Sequence, residues 1–247
     1  MISVTILAKN SKETLEKTLE STRDFPEVLL LDTGSTDETL WIAKKFPNVK
    51  ICVDSFEGFG KTHNKATALA TYDWILSLDS DEVLSEELSK EILSKELEAN
   101  CVYAIRRRNF FNDKEIKGCS GWYPDFVTRL YHRKSTFFDD AEVHEKIIVG
   151  SLRKETLFHT MSHTPYRSIS DFLHKMQSYS DLFAKQNKGR KKASMGSAIL
   201  HGWGAFLKSY LFKKGFLLGA EGFLISMYNG HVAFYKYLKL QEINRKI

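Results

Sequence analysis

The sequence predicts an α/β fold, a mostly parallel sheet with helices on both faces, followed by a C-terminal helical extension. Three observations lead there. The first hundred residues alternate short apolar strands with helices of about a dozen residues, which calls for right-handed crossovers between parallel strands. Acidic and amide side chains gather where those strands end. From about Ser168 the pattern turns helical and the charge changes sign. Residues 1–184 carry 24 Lys and Arg against 29 Asp and Glu, net −5, whereas residues 185–247 carry 12 against 2, net +10.

Taken in order, "SVTILA" (3–8) is a short apolar strand, and "SKETLEKTLEST" starts with Ser11 as N-cap and sets Leu15 and Leu19 at helical spacing. "EVLLLD" is a second strand, "STDETLWIAKKF" a second helix capped by Ser35 or Thr36, and "VKICVD" a third strand. "KTHNKATALAT" is a third helix and "DWILSLD" a fourth strand. After a helix near 85–97 the rhythm changes. "CVYAIRRRNF", "DFVTRLYHR", "STFFDD" and "EVHEKIIVG" read as shorter, more antiparallel strands. "SISDFLHKMQSYSDLFAKQ" is a long helix, the basic "NKGRKKAS" breaks it, and two aromatic-rich helices follow near 195–213 and 216–240. Glu221, Asn229, His231 and Lys236 interrupt the last one, so it is expected to lie in an interface or pack on a core rather than span a membrane. The expected domains are 1–165 and a basic, aromatic-rich extension, 166–247.

A composition of 43% hydrophobic and 27% charged residues is that of a globular chain able to bury a core. Three cysteines with no CxxC pair fit neither a disulfide framework nor a zinc site and point to a reducing, cytosolic setting. "MISVTILAKN" lacks the basic start and long apolar run of a signal peptide. The basic tail, with Lys188, Arg190, Lys191, Lys192, Lys208, Lys213 and Lys214 among aromatic residues, suits an anionic partner. No nucleic-acid motif accompanies it, so a membrane surface is the expected partner and nucleic acid is not.

In open parallel sheets, ligands bind beyond the carboxyl ends of the strands. Those ends are Ala8-Lys9-Asn10, Asp32-Thr33-Gly34-Ser35 and Asp79-Ser80-Asp81-Glu82. Asp32 can accept paired donors from a base or ribose, or simply form a turn and helix cap. Asp79 and Asp81 can converge on one hard divalent cation and the diphosphate it carries. A lone DxD is common; its place after two other polar strand ends gives it weight. Arg129, among Phe126, Val127 and Leu130, can meet phosphate oxygens with its fork or pair with a carboxylate that structures the sheet.

"ILAKN", "LLLDTGSTDETLWIA", "GFGKTHNKATALATYDWILSLDSDE" and "GWYPDFVTRLYHR…EVHEKI" resemble the family 2 inverting glycosyltransferases of the GT-A fold. They resemble in particular the bacterial lipopolysaccharide-core branch, mostly β-1,4-glucosyltransferases, and "HTPYRSISDFLHKMQSYS" with the helical tail extends the resemblance over nearly the whole chain. It implies a hexose, glucose from UDP-glucose, moved onto a lipid-linked inner-core acceptor with Mg²⁺ or Mn²⁺, by a cytoplasmic enzyme peripheral on the inner leaflet of the inner membrane. By position, Ala8, Lys9, Asn10 and Asp32 would hold the nucleotide base, and Lys61 would stand near the nucleotide. Asp81 would bind the cation, with Asp79 on the ribose or a cation-bound water. The sequence writes DSD where many members have DAD, which leaves both carboxylates in place. The ED pair in which many members carry the base is missing. The resemblance therefore points to Glu145, in the VHE motif, ahead of Asp125, in "GWYPDFVTRL", as the base. His163 matches a histidine of the branch and would be a third cation ligand, with His159 and His144 behind it. Trp122 and Tyr123 could stack on a sugar ring or fill core.

Overall fold

The structure, a computed structural model, describes residues 1–140 and 145–245. They fall into two compact units, Met1–Arg108 with Phe126–His163, and Asn109–Asp125 with the chain from Thr164 onward.

In the first unit, β1 (Ile2–Ala8) lies between β2 (Glu27–Asp32) and β4 (Trp74–Asp79), parallel to both, and β3 (Val49–Val53) extends the parallel set beyond β2. The register pairs Ala8 with Asp32 and Leu7 with Asp79, so the three polar strand ends come level on one rim. β1, β2 and β4 carry apolar side chains on both faces and are buried on both, whereas β3 at the edge is half-buried. Leu15 and Leu19 of α1 (Leu15–Glu20), with Leu88 and Ile92 of α4 (Glu86–Ser94), join Val4, Ile6, Leu76 and Leu78 in one core. Ala66 of α3 (Phe59–Leu69) packs on Leu29 and Leu31 in another. The α/β alternation read from the sequence is therefore present, with α2 (Thr39–Ala43) short.

Beyond β4 the sheet continues with β8 (Asp125–His132), β6 (Cys101–Phe111), β9 (Arg153–His163) and β5 (Glu82–Leu84). β8 runs antiparallel to β4, and β9 antiparallel to β5 with His163 opposite Glu82. β9 was not expected from the sequence. Its buried apolar residues, Leu157 and Met161, are diluted by threonine and histidine, so the period of two is faint. The segments expected as strands at "STFFDD" and "EVHEKIIVG" meet only briefly, in one antiparallel bridge, Phe138 to Ile147, flanked by the Asp139 N–H on the Lys146 carbonyl at 2.9 Å and the Ile148 N–H on the Phe137 carbonyl at 3.0 Å. Asn64 of α3 takes both backbone groups of Phe138, at 2.9 and 3.0 Å, and so occupies the place a ladder partner would hold. Residues 142–144 of that stretch lie outside the described residues.

Two helix starts also differ from expectation. The carbonyl of Ser11 accepts from the N–H of Leu15 at 2.9 Å while its hydroxyl meets Ser80 at 2.8 Å, so Ser11 closes a turn and α1 begins at Leu15. Ser35 and Thr36 bond back to Asp32 and Asn10, and α2 starts only at Thr39.

The second unit is helical, with α5 (Ile169–Asn187), α6 (Met195–Leu207) and α7 (Gly219–Arg245), and β7 (Lys114–Glu115) pairs the end of β6 within it. Ser168 and Asp171 form a capping box on α5, and Ser194 and Ser197 one on α6. α7 packs against α5 and α6. Glycines permit the close approach: a Cβ on Gly230 would stand 3.1 Å from the Gly202 carbonyl, and one on Gly222 only 1.9 Å from the Gly215 carbonyl. The helix beginning near Phe216 is thus core-packed, and among the described residues no helix is long and apolar enough to cross a membrane. Trp122 fills core here, stacked on Tyr166 beside Phe172.

Candidate active site

The rim formed by β1 and β2 is built from turn chemistry. The Ala8 carbonyl accepts from the Thr33 N–H at 2.9 Å, and Asn10, in the left-handed region at φ 51°, accepts from the Thr36 N–H at 2.8 Å. Asp32 is buried, and its carboxylate accepts from the Gly34 N–H at 3.0 Å, the Ser35 N–H at 2.9 Å and the Ser35 hydroxyl. The turn-forming alternative for Asp32 is thus the one seen. Lys9 and Lys61 are both exposed, Lys61 in the first turn of α3.

The acids after β4 meet two arginines. Arg129, only 5% exposed on β8, donates through Nη2 to Asp79 Oδ2 and, at 2.7 Å, to Glu82 Oε1. Arg107 on β6 donates to the same Glu82 oxygen at 2.9 Å and stands 4.0 Å from Asp79. Glu82 Oε2 accepts the Asp79 N–H at 3.0 Å, which locks the turn between β4 and β5. The carboxylate-partner alternative for Arg129 is therefore the arrangement present. Burial alone would raise Asp79, but the positive charges of Arg129, His63 and Arg107 outweigh it and hold the carboxyl well below the usual range. In Glu82 burial wins over the same arginines and its proton affinity is raised. Arg129 stays firmly charged: burial opposes the charge, yet Asp79 and Glu82 more than compensate.

Asp81, next along the chain, faces His163 across the β5–β9 pairing, with Oδ2 and Nε2 3.7 Å apart. That is too long for a hydrogen bond and suits an oxygen and a nitrogen sharing one cation. Among the described residues no group of three or more His, Cys, Asp or Glu converges on a point. One or two carboxylates completed by substrate phosphates is a common way to hold Mg²⁺ or Mn²⁺, so Asp81 fits such an ion, with the His163 nitrogen beside it.

Glu145 lies against α3, its Oε1 3.8 Å from His63 Nε2. Burial raises the proton affinity of Glu145 and the nearby negative Asp79 raises it further. His63 is buried, stacked on Phe138 and bonded through Nδ1 to the Ser77 hydroxyl at 3.1 Å. Burial lowers its pKa to about 4, against the pull of Asp79, so the ring is neutral near pH 7. Asp125 belongs to the second unit, where Asn109 donates to its carboxylate at 3.0 Å. His159 lies on β9 with its N–H held by Glu91 at 3.0 Å, and His144 is outside the described residues. Sequence reasoning did not find His63 or Arg107 and left Glu82 ambiguous. "FGKTHNKA" drew attention only to its lysine, and the run Arg106-Arg107-Arg108 gives no sign that its middle member turns to a buried acid.

The pattern described as glycosyl transferase family 2 matches residues 3–161, well over half of the chain. The chain belongs to glycosyltransferase family 2. An uncharacterized glycosyltransferase of Rickettsia bellii is 28% identical to this family 2 transferase over 258 residues, covering 98% of this chain and 87% of that protein. The SPbeta prophage-derived glycosyltransferase SunS of Bacillus subtilis is 36% identical over 89 residues, 35% of this chain and 21% of that protein. Among solved structures, the mannosyltransferase PcManGT from Pyrobaculum calidifontis, in complex with GDP-Man and Mn²⁺, matches with a TM-score of 0.54 at 15% identity, over 95% of this chain and 86% of that one. The expected GT-A fold class is borne out by this likeness. In this family 2 transferase, Asp79, Asp81, Glu82, Arg129, Glu145 and His163 are all carried by the first unit.

Proposed function

We propose that the first unit transfers a hexose with inversion, glucose from UDP-glucose being the first donor to test, onto a lipopolysaccharide inner-core acceptor. The observation that carries this reading is Glu145, a carboxylate of raised proton affinity beside neutral His63, in the same unit as the acids after β4. Inverting displacement needs such a base on the acceptor hydroxyl, and a raised pKa improves its acceptance of a proton. His63, held through Nδ1 by the Ser77 hydroxyl, sets a neutral ring beside Glu145, with Nε2 3.8 Å from Oε1 and beyond hydrogen-bond reach. Ala8, Lys9, Asn10 and Asp32 line the rim for the nucleotide, and Lys61 supplies a mobile positive charge near it. Asp81 and His163 would hold Mg²⁺ or Mn²⁺, which when bound acts as a Lewis acid that neutralises the departing diphosphate. Asp79, anchored by Arg129, keeps Asp81 at the mouth of the turn. Asp125 is the second candidate for the base.

Thermal-shift and donor-turnover assays with UDP-, GDP- and ADP-sugars and either cation test the reading; GDP-sugars are included because PcManGT was solved with GDP-Man. Cation-dependent turnover of one donor supports it. Absence of turnover with every donor would overturn it in favour of a non-catalytic nucleotide-sugar-binding protein, and transfer to a polyprenyl phosphate or another surface glycan would move the acceptor.

The second unit, spanning most of the 166–247 extension, would dock the enzyme on the anionic inner leaflet. Ile199, Leu200, Trp203 and Leu207 form an exposed stripe on α6, with Trp203 62% and the following Phe212 80% exposed, and Lys208, Lys213 and Lys214 lie beside them in the chain. Aromatic anchors flanked by lysines suit an interface with anionic lipid, where each basic group contributes on the order of 1 kcal/mol.

A further inference from the structure

The first unit holds a second concavity, a cleft of about 600 Å³ between the start of α4 and the strands β6, β8 and β9, which shares no lining residue with the acid cluster. Its size is in the range of small-ligand sites. Arg106 and Arg108 line it, both exposed, on either side of the Arg107 that turns to Glu82. Residues two apart on a strand project to the same side, so the two guanidiniums face one volume. His159, Thr156 and Thr160 of β9 add polar groups, and Phe126 and Phe158 add aromatic surface. Phe158 is 84% exposed, so its ring face is open to the cleft. Glu91 of α4 accepts the N–H groups of Phe158 and His159 at 2.9 and 3.0 Å and so fixes the strand that presents them.

We propose that this cleft binds an anionic sugar, one bearing a phosphate or a carboxylate, at a site separate from the acid cluster. Paired guanidiniums match the oxygens of either group. An aromatic face beside them packs on the apolar face of a sugar ring. Glu87, the acid in the lining, accepts hydroxyls of the same ring and disfavours a ligand that is anionic throughout. Arg107 and Arg129, which meet the acid cluster, are an odd number of residues from Arg106, Arg108 and Phe126 on their strands, so the cleft opens on the sheet face opposite the acids. Binding of the anion does not rest on the transferase reading above.

The experiment uses the full chain and three probes, glucose 6-phosphate, glucuronate and glucose, followed by saturation-transfer NMR and by the arginine Nε–H resonances. The expected result is that an anionic sugar binds, neutral glucose does not, and R106Q/R108Q weakens binding at least tenfold while donor turnover without acceptor persists. Response to glucose 6-phosphate alone, or to glucuronate alone, identifies the anion. Equal binding of glucose, or full binding by R106Q/R108Q, would overturn the proposal. Anionic-sugar binding by a protein that turns over no donor would uphold the cleft and overturn the transferase reading; turnover without such binding would overturn the cleft alone.

Discussion

Replacing Arg129 with methionine tests the acid cluster most directly, because the change removes charge and roughly keeps volume. Arg129 lies 2.7 Å from Glu82 and bonds Asp79, and both acids remain behind when it goes. Breaking a buried pair by removing one partner costs about 3–5 kcal/mol. Arg107 still donates to Glu82 at 2.9 Å and Asp79 keeps some solvent, so the lower end, about 3 kcal/mol near pH 8, is expected. For a chain of this size about 1 kcal/mol shifts Tm by 2–4 °C, which gives a fall of roughly 6–12 °C. The sign of the pH dependence follows from burial. Without Arg129 the folded-state proton affinities of Asp79 and Glu82 both lie above their unfolded values. The penalty is then small below about pH 4 and grows as pH rises from there through the folded pKa values. Urea unfolding at pH 4.5 and pH 8, followed by tryptophan fluorescence, measures the gap between variant and parent. A loss equal at both pH values, or no loss, would refute the assignment of Arg129 as the charge partner of these acids. In an E82Q background R129M should cost less, since only Asp79 is left unpaired.

Glu145→Gln should abolish transfer yet raise Tm at pH 7, since burial disfavours the charged form of this carboxyl and stability falls as pH rises from its unfolded to its folded pKa; wild-type transfer by E145Q together with inactive D125N would hand the base to Asp125. In the parent, kcat/KM should drop on the acid side with an inflection above the ordinary glutamate value of about 4.3. Because arginines rather than a cation balance Asp79 and Glu82, a chelator should leave Tm unchanged while Asp81→Ala abolishes cation-dependent UDP binding; a large chelator-induced fall in Tm speaks against this charge balance. Gly222→Ala places a methyl 1.9 Å from a backbone carbonyl that cannot swing aside, and should destabilise by several kcal/mol, of order 1–3 or more, in urea unfolding. Trp203→Glu with Phe212→Glu should abolish sedimentation with anionic vesicles without changing donor turnover; unchanged sedimentation removes the α6 face from consideration.

The parallel half of the sheet was legible because its strands are buried on both faces and read as unbroken apolar runs with polar punctuation, from Val4 to Asp79. The antiparallel half was harder. β9 keeps only Leu157 and Met161 as deeply buried apolar residues, and its threonines and histidines line the cleft or stand beside Asp81, so its composition records what it presents rather than what it packs on. Phe137, Phe138, Ile147 and Ile148 look like strand residues and do pair antiparallel, but only as one short bridge, because Asn64 of a helix takes the outward backbone groups of Phe138 that a further strand would have met. No local pattern announces that partner, 74 residues away in sequence.

The candidate site shows the same division between local and distant information. Three acids within four residues, Asp79, Asp81 and Glu82, demand positive charge, and a divalent cation was the nearest partner a local motif could suggest. The fold instead brings Arg129 and Arg107 from two strands that follow in sequence, and they take Asp79 and Glu82. This separates two roles that sequence proximity had merged. Asp79 and Glu82 are balanced before any ligand arrives and make the turn rigid, so Asp81 is presented beside His163 by a frame that needs no ion to fold. If Asp81 alone were asked to carry the metal on a flexible turn, each binding event would have to order that turn, and the cost would fall on donor affinity. Rigidity supplied by buried ion pairs instead predicts that R129M weakens cation-dependent UDP binding although Arg129 touches neither ion nor nucleotide. Isothermal titration of UDP with Mn²⁺ into R129M, at a pH where the variant is still folded, decides this: parental affinity would mean that the arginines stabilise the sheet and nothing more.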